Sequence, residues 1–242
     1  MKIFEILDEE NKISIGVLLY YEKEKTYIIE LQDNLDEWNA PLLLASYARK
    51  NVYTIPRDIS FLWVKERVIP SGRQNISDIL ARHKIKAYDE MKFLEISEGR
   101  CSQDSLYIKK IDCLPEFVEK RIRKNIVECV ILDDRSLLCF FADGVIKKVD
   151  ITKLMYVNGV DKILENDKLY QSGKVGTGGY FVTFDGSIDI PAMILYETGE
   201  YIPLKQTDFM AFVKKNILDT SDSGILLECS RQNISYLSLI HI

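Results

Sequence analysis

The residues best suited to specific recognition chemistry are Ser230, Arg231, Gln232, Asn233, Ser235 and Tyr236, gathered near the end of the chain. An arginine can present paired N–H groups to the edge of guanine, and an asparagine or glutamine pairs with adenine in the same bidentate way. A serine hydroxyl suits a phosphate oxygen. Ser230 can cap a helix beginning at Arg231, in which Ile234 and Leu237 point inward and the polar side chains project. A shorter helix capped by Thr220 or Ser221 and running through Glu228 precedes it. The pair reads as the start of a DNA-binding helix-turn-helix. The same residues also suit a capped surface helix, and Gly224 within the first helix costs about 1 kcal/mol relative to a better helix former.

Other groupings carry less chemistry. The run Gly173-Lys174-Val175-Gly176-Thr177-Gly178-Gly179 could expose backbone N–H groups to an anion. Its spacing departs from Gly-x-x-x-x-Gly-Lys-Ser/Thr, and a Phe181-Val182-Thr183-Phe184 strand follows where a phosphate loop requires a helix, so a hairpin connection is expected. Asp133-Asp134 and Asp189 lie in turn-like contexts. Neither His83 nor His241 has a serine or cysteine in a nucleophile-elbow setting. No catalytic residue, cofactor or metal site is predicted, and the reading is of a non-enzyme. Cys101, Cys113, Cys129, Cys139 and Cys229 are an odd number without a Cys-x-x-Cys pair, as expected of free thiols in a reducing cytosol. Trp38, Trp63 and Tyr47 read as core or interface packing.

The elements that must position these groups follow from periodicity. Ile13 to Tyr21 and Thr26 to Leu31 are strand-like and flank the charged Glu22-Lys23-Glu24-Lys25 loop, which predicts an antiparallel hairpin. Leu42 to Tyr47, Phe61 to Val68, Asn75 to Leu80 and Tyr88 to Ile96 are short helical segments punctuated by Pro56, Pro70 and Gly72. Leu106 to Ile111 closes this module as a strand, and the mixed-charge run Glu119 to Lys124 forms a helical linker. Val127 to Leu132, Leu137 to Phe141 and Val145 to Val149, separated by Asp133-Asp134-Arg135 and Ala142-Asp143-Gly144, predict a three-stranded meander. A helix over Ile151 to Leu164 and strands at Val175 and Tyr180 to Phe184 follow. Phe209, Phe212, Val213 and Ile217 fall on one face of a helix linking this module to the tail. Arg-Gln-Asn-Ile-Ser occurs twice, at Arg73 to Ser77 and at Arg231 to Ser235, each time after a turn and at a helix start.

The fold class expected is therefore α+β, with modules at 1–112 and 127–204, a linker at 113–126, and a linker helix with a truncated helix-turn-helix at 205–242. The 242 residues suffice for more than one domain, and 47% hydrophobic with 29% charged residues is globular composition. No apolar run reaches the roughly 18 residues of a membrane span, and the acidic N-terminus is not a signal peptide, so a cytoplasmic protein is expected. A net charge of −5 opposes non-specific coating of nucleic acid while leaving room for a small local reading surface.

Three family resemblances overlay this reading. Gly16 between strands, Ala48-Arg49-Lys50 before an extended Tyr53-Thr54-Ile55-Pro56, Val68-Ile69-Pro70, Arg73 and Ile76 opening a helix, and Gly99 and Asp104 before the last strand resemble the N-terminal subdomain of HipA-type toxin kinases. That resemblance implies a module that binds and restrains a protein partner; the kinase machinery of such proteins has no counterpart after residue 111. Phe140, Asp143-Gly144, Val149-Asp150-Ile151, Val182-Thr183-Phe184-Asp185-Gly186 and the Asp189-Ile190 to Leu195-Tyr196 segment are similar to the bacterial domain of unknown function 2442 family. Its members are often fused to a helix-turn-helix or encoded beside a small toxin. Ser230-Arg231-Gln232 with Ile234 resembles the opening of the recognition helix in excisionase- or MerR-like domains. The closing Leu237 to Ile242 reads as adapter-derived sequence on a truncated reading frame, making the chain a fragment.

The expectation is a bacterial transcriptional regulator of antitoxin type, binding operator DNA as a homodimer through the tail and a toxin-like or kinase partner through the N-terminal module. The rival expectation is an adaptor that neutralises or scaffolds such a partner without DNA.

Overall fold

The computed structural model describes residues 1–202. The chain divides into two units, Met1–Glu119 and Lys120–Ile242, both α+β over their described residues. The division falls within helix α5 (Glu116–Ile122), inside the 113–126 stretch.

The first unit is a five-stranded antiparallel sheet in the order β4-β3-β2-β1-β5, formed by β1 (Lys2–Asp8), β2 (Ile13–Tyr21), β3 (Thr26–Leu31), β4 (Thr54–Ile55) and β5 (Leu106–Ile111). Strand β1 lies between β2 and β5, with Phe4 opposite Leu18 on one side and Lys110 on the other. The sequence reading gave no strand to Lys2–Asp8, because Glu5 and the acids that follow obscure a plain alternation. Phe4 and Ile6 are nonetheless buried on the core side. Gly16 is required by the sheet itself: a Cβ there would lie 2.2 Å from the Glu30 carbonyl oxygen.

Helices α1 (Leu42–Arg49), α2 (Arg57–Lys65), α3 (Ile76–Arg82) and α4 (Glu90–Ile96) pack on this sheet, and Leu44, Trp63, Val64, Met91 and Leu94 enter the core. Pro41 and Pro56 immediately precede α1 and α2, where a preset φ helps the chain enter a helix. Buried Ser60 ties α2 to the sheet by accepting from the Ile29 amide at 3.0 Å and donating to the Ile55 carbonyl at 3.2 Å. These bonds anchor the first turn of α2 to β3 and β4.

In the second unit, β6 (Ile126–Ile131), β7 (Ser136–Phe141) and β8 (Ile146–Asp150) form the expected meander, extended by β12 (Glu200–Tyr201) on β8. Strands β9 (Lys174–Val175), β10 (Phe181–Phe184) and β11 (Ile188–Pro191) form a second antiparallel sheet, and Leu137, Phe141, Val149, Val182, Phe184 and Leu195 share one core. The single helix expected over Ile151 to Leu164 is broken. A 3-10 turn (Ile151–Leu154) gives way to Gly159 at φ 87°, after which α6 (Val160–Glu165) and α7 (Asp167–Gln171) follow. Asn158-Gly159 is turn chemistry embedded in an apolar pattern, and the turn wins. The Asn166 side chain then caps α7 by accepting from the Leu169 amide at 3.1 Å. After β11 the chain forms α8 (Ala192–Thr198), a helix that the sequence reading left unassigned. No helix among the described residues is long and apolar enough to cross a membrane.

Candidate functional site

A cleft of about 440 Å³ lies at one end of the first unit's sheet. It forms where β1 ends at Asp8, β5 begins after Asp104 and Ser105, α2 ends at Trp63, Glu66 and Arg67, and the loop before α1 carries Trp38 and Leu42. Its volume is in the range of ligand sites, roughly 300 to 1,000 Å³.

Each wall has a local cause. Asp36 closes the loop by accepting from the amides of Trp38 at 3.0 Å and Asn39 at 2.9 Å and from the Asn39 side chain at 2.9 Å. This holds Trp38 in solvent at 87% exposure, next to Leu42 at 96% on the first turn of α1. Asp8 organises the opposite wall: Asn11 Nδ2 donates to it at 2.8 Å, the Ser105 hydroxyl at 2.8 Å, and the amides of Glu10 and Asn11 at 3.0 and 3.2 Å. Burial favours the neutral acid, but the hydrogen bonds from Asn11, Ser105 and the Glu10 amide outweigh it and hold the Asp8 carboxyl below the ordinary carboxylate value.

The floor is polar and buried. The Arg67 side chain is 2% exposed and pairs with Asp104, which is 33% exposed. Its guanidinium carbon lies 3.9 Å from the ring centroid of fully buried Trp63, and Nη1 donates to the Trp63 carbonyl at 3.4 Å. Asp104 also accepts from the Leu106 amide at 3.1 Å. Two buried donors, Trp63 Nε1 and Arg67 Nε, have no hydrogen-bond partner among the described residues. Such groups cost free energy on the order of 1 to 3 kcal/mol each and mark a place for an acceptor.

The residues predicted to read DNA, Ser230, Arg231, Gln232, Asn233, Ser235 and Tyr236, lie outside the described residues, as does the second Arg-Gln-Asn-Ile-Ser string. In the first copy, Arg73 closes a turn onto the Pro70 carbonyl and Ile76 opens α3. The glycine run forms an antiparallel hairpin connection between β9 and β10. A Cβ on Gly176 would meet the Phe181 ring at 2.1 Å, and one on Gly179, at φ 73°, would meet the Ile126 carbonyl oxygen at 2.2 Å. These two glycines admit close neighbours.

Asp134 accepts from Lys148 and from the Ser136 amide, and His83 is exposed at the end of α3. Among the described residues, no group of three or more His, Cys, Asp or Glu could hold a metal. Trp63 is core, as expected, and Tyr47 packs against the core, but Trp38 stands in solvent. Its turn was legible in Asp36 and Asn39 ahead of Pro41. The Arg67–Asp104 pair, separated by 37 positions, had no sequence signal.

No model of a known protein family matches the chain, and no curated protein matches it. A crystal structure of a candidate DNA-binding protein from Nitrosomonas europaea is similar over 49% of this chain and 77% of that one, at 18% identity and a TM-score of 0.26, an overlap that carries no argument about function.

Proposed function

We propose that this chain is a partner-binding regulator of antitoxin type: the first unit captures a protein through the Trp38–Leu42 cleft, and the tail reads operator DNA as a dimer. The observation that carries the capture half is the pair of almost fully exposed apolar side chains, Trp38 and Leu42, held at the mouth of a cleft with a buried polar floor. Protein-binding sites centre on such aromatic anchors. The DNA half rests on the residue types at Ser230 to Tyr236, and the partner class, a kinase or small toxin, on the HipA-type resemblance. The proposed role is recognition, with no reaction assigned to the chain.

The test uses the full chain. Retardation of its own promoter DNA on a gel, sequence-selective and weakened by salt, is expected, and Arg231→Ala with Asn233→Ala should abolish it. Unchanged retardation by that double variant removes the DNA assignment. Capture of a toxin-like neighbour without any DNA shift makes the chain an adaptor, whereas loss of capture in Trp38→Ala is the result the cleft reading requires.

A further inference from the structure

Resting on the partner-binding reading, we infer that the cleft takes a peptide segment carrying an arginine or lysine beside an apolar residue. The charged side chains lining the cleft are Asp8, Glu66, Asp104 and Arg67, three carboxylates against one guanidinium. Arg67 is already committed to Asp104, and Asp8 to its own loop. Glu66 stands exposed at the end of α2 with no ion pair among the described residues. The uncompensated charge selects a cation, and Trp38 offers the aromatic face over which a guanidinium or ammonium is held.

Two further observations choose a peptide over a small cation. Trp63 and Arg67 both line the cleft and carry N–H groups, Nε1 and Nε, that lack acceptors among the described residues, a demand that the backbone carbonyls of a peptide match and a simple cation does not. Trp38 and Leu42 line the rim yet are 87% and 96% exposed, so only an occupant that continues over the rim covers them. A small ligand is normally engulfed by its pocket. An extended segment satisfies all three demands at once: cation to Glu66 and Trp38, carbonyls to the floor, apolar side chain onto Leu42.

The chain's two tryptophans, Trp38 and Trp63, both line this cleft, so intrinsic fluorescence reports it directly. The probe is a phage-displayed library of random linear dodecapeptides selected on the full chain. Enriched peptides should carry Arg or Lys next to Leu, Ile or Phe and change the tryptophan emission. Trp38→Ala should weaken them by about tenfold or more, in line with loss of an aromatic anchor. Glu66→Gln should weaken them a further few-fold at low salt, and less at high salt. Both sites are exposed, and a far-ultraviolet circular dichroism spectrum checks that the fold is unchanged; in Trp38→Ala, Trp63 still reports the floor.

Enriched peptides that are acidic or uncharged, yet compete at the tryptophans, overturn the basic-segment assignment and leave partner capture standing. Binding of N-acetyl-arginine amide as tightly as the selected peptides overturns the peptide in favour of a small cation. No enrichment, or enrichment indifferent to Trp38→Ala and Glu66→Gln, removes both this inference and the capture reading beneath it.

Discussion

Replacing Asp104 with asparagine should destabilise the first unit by removing the counter-ion of Arg67. Arg67 donates to one Asp104 carboxylate oxygen and the Leu106 amide to the other, so asparagine keeps one of these bonds and turns its NH2 toward the other donor while removing the charge. What it leaves behind is a guanidinium only 2% exposed without its counter-ion. Removing one partner of a fully buried pair costs about 3 to 5 kcal/mol. Asp104 is 33% exposed, so water screens part of the interaction and the expected loss is roughly 1 to 3 kcal/mol. With a urea dependence of about 2 kcal/mol per molar, a loss of about 2 kcal/mol moves the unfolding midpoint by about 1 M. Tryptophan emission is the suitable probe, because both tryptophans belong to this unit and report its unfolding alone. Arg67→Met supplies the control: in the Asp104→Asn background it should recover part of the loss, since it removes the stranded charge. A midpoint within about 0.2 M of the parent, or strictly additive single and double variants, would refute the claim that this ion pair supports the cleft floor.

Acid acts through Asp8. Its carboxyl lies below the ordinary value in the folded chain, so it contributes stability that is fully present above the unfolded carboxylate pKa and is lost as pH falls through the depressed folded value. The stability gap between parent and Asp8→Asn should therefore be wide near neutrality and narrow as pH drops below about 4, measured by urea titrations at each pH; a gap constant across that range rules the argument out. In the second unit, Cys129 and Cys139 face each other across β6 and β7 with their sulfurs 3.9 Å apart. The hydrogen bond shared with Cys129, together with burial, pushes the Cys139 thiol up, and Cys129 is the less buried of the two, so Cys129 is the attacking sulfur. Excess oxidised glutathione should form a mixed disulfide at Cys129 that Cys139 resolves, with loss of two thiol hydrogens and release of reduced glutathione. Intact mass and a non-reduced peptide map detect the bridge, and glutathione retained only on exposed Cys113 would show the pair to be incompetent.

The sheet and its class were legible where one period dominates. Strands β2, β3 and β5 begin and end at the residues predicted, because runs rich in Ile, Val, Leu and Tyr are bounded there by charged or turn-forming loops. Legibility failed where two signals share a segment. Acidic residues masked β1, Asn158-Gly159 broke an apolar stretch that otherwise reads as one helix, and Asp189, which reads as a turn residue, lies in β11 with the unassigned α8 directly after it. The cleft was hidden for a different reason. Its walls come from four places in the chain, brought together by β1 and β5 pairing and by Ser60 anchoring α2 to the sheet. Only the Asp36 turn that displays Trp38 is a local event, and reading it needed a judgement about which way the ring points.

The net charge of −5 sets the two halves of the proposal in tension and also supplies the means to weigh them. An acidic chain repels the phosphate backbone, so any DNA binding must come from a small, concentrated set of contacts such as those around Arg231. Its affinity should then fall with salt in proportion to the few phosphates engaged, by about 0.9 of a logarithmic unit per phosphate per decade of salt. The same acidity assists capture of a basic segment, but through one or two rim charges that a Debye length of about 8 Å largely screens at physiological salt. Apolar contact with Trp38 and Leu42 is not screened. A salt series on both activities therefore separates them physically: peptide capture should flatten to a salt-insensitive residue set by the aromatic anchor, whereas DNA retardation should keep declining. If DNA retardation also levels off, phosphate contacts are not what holds it, and Ser230 to Tyr236 are better understood as a capped helix whose polar face meets solvent.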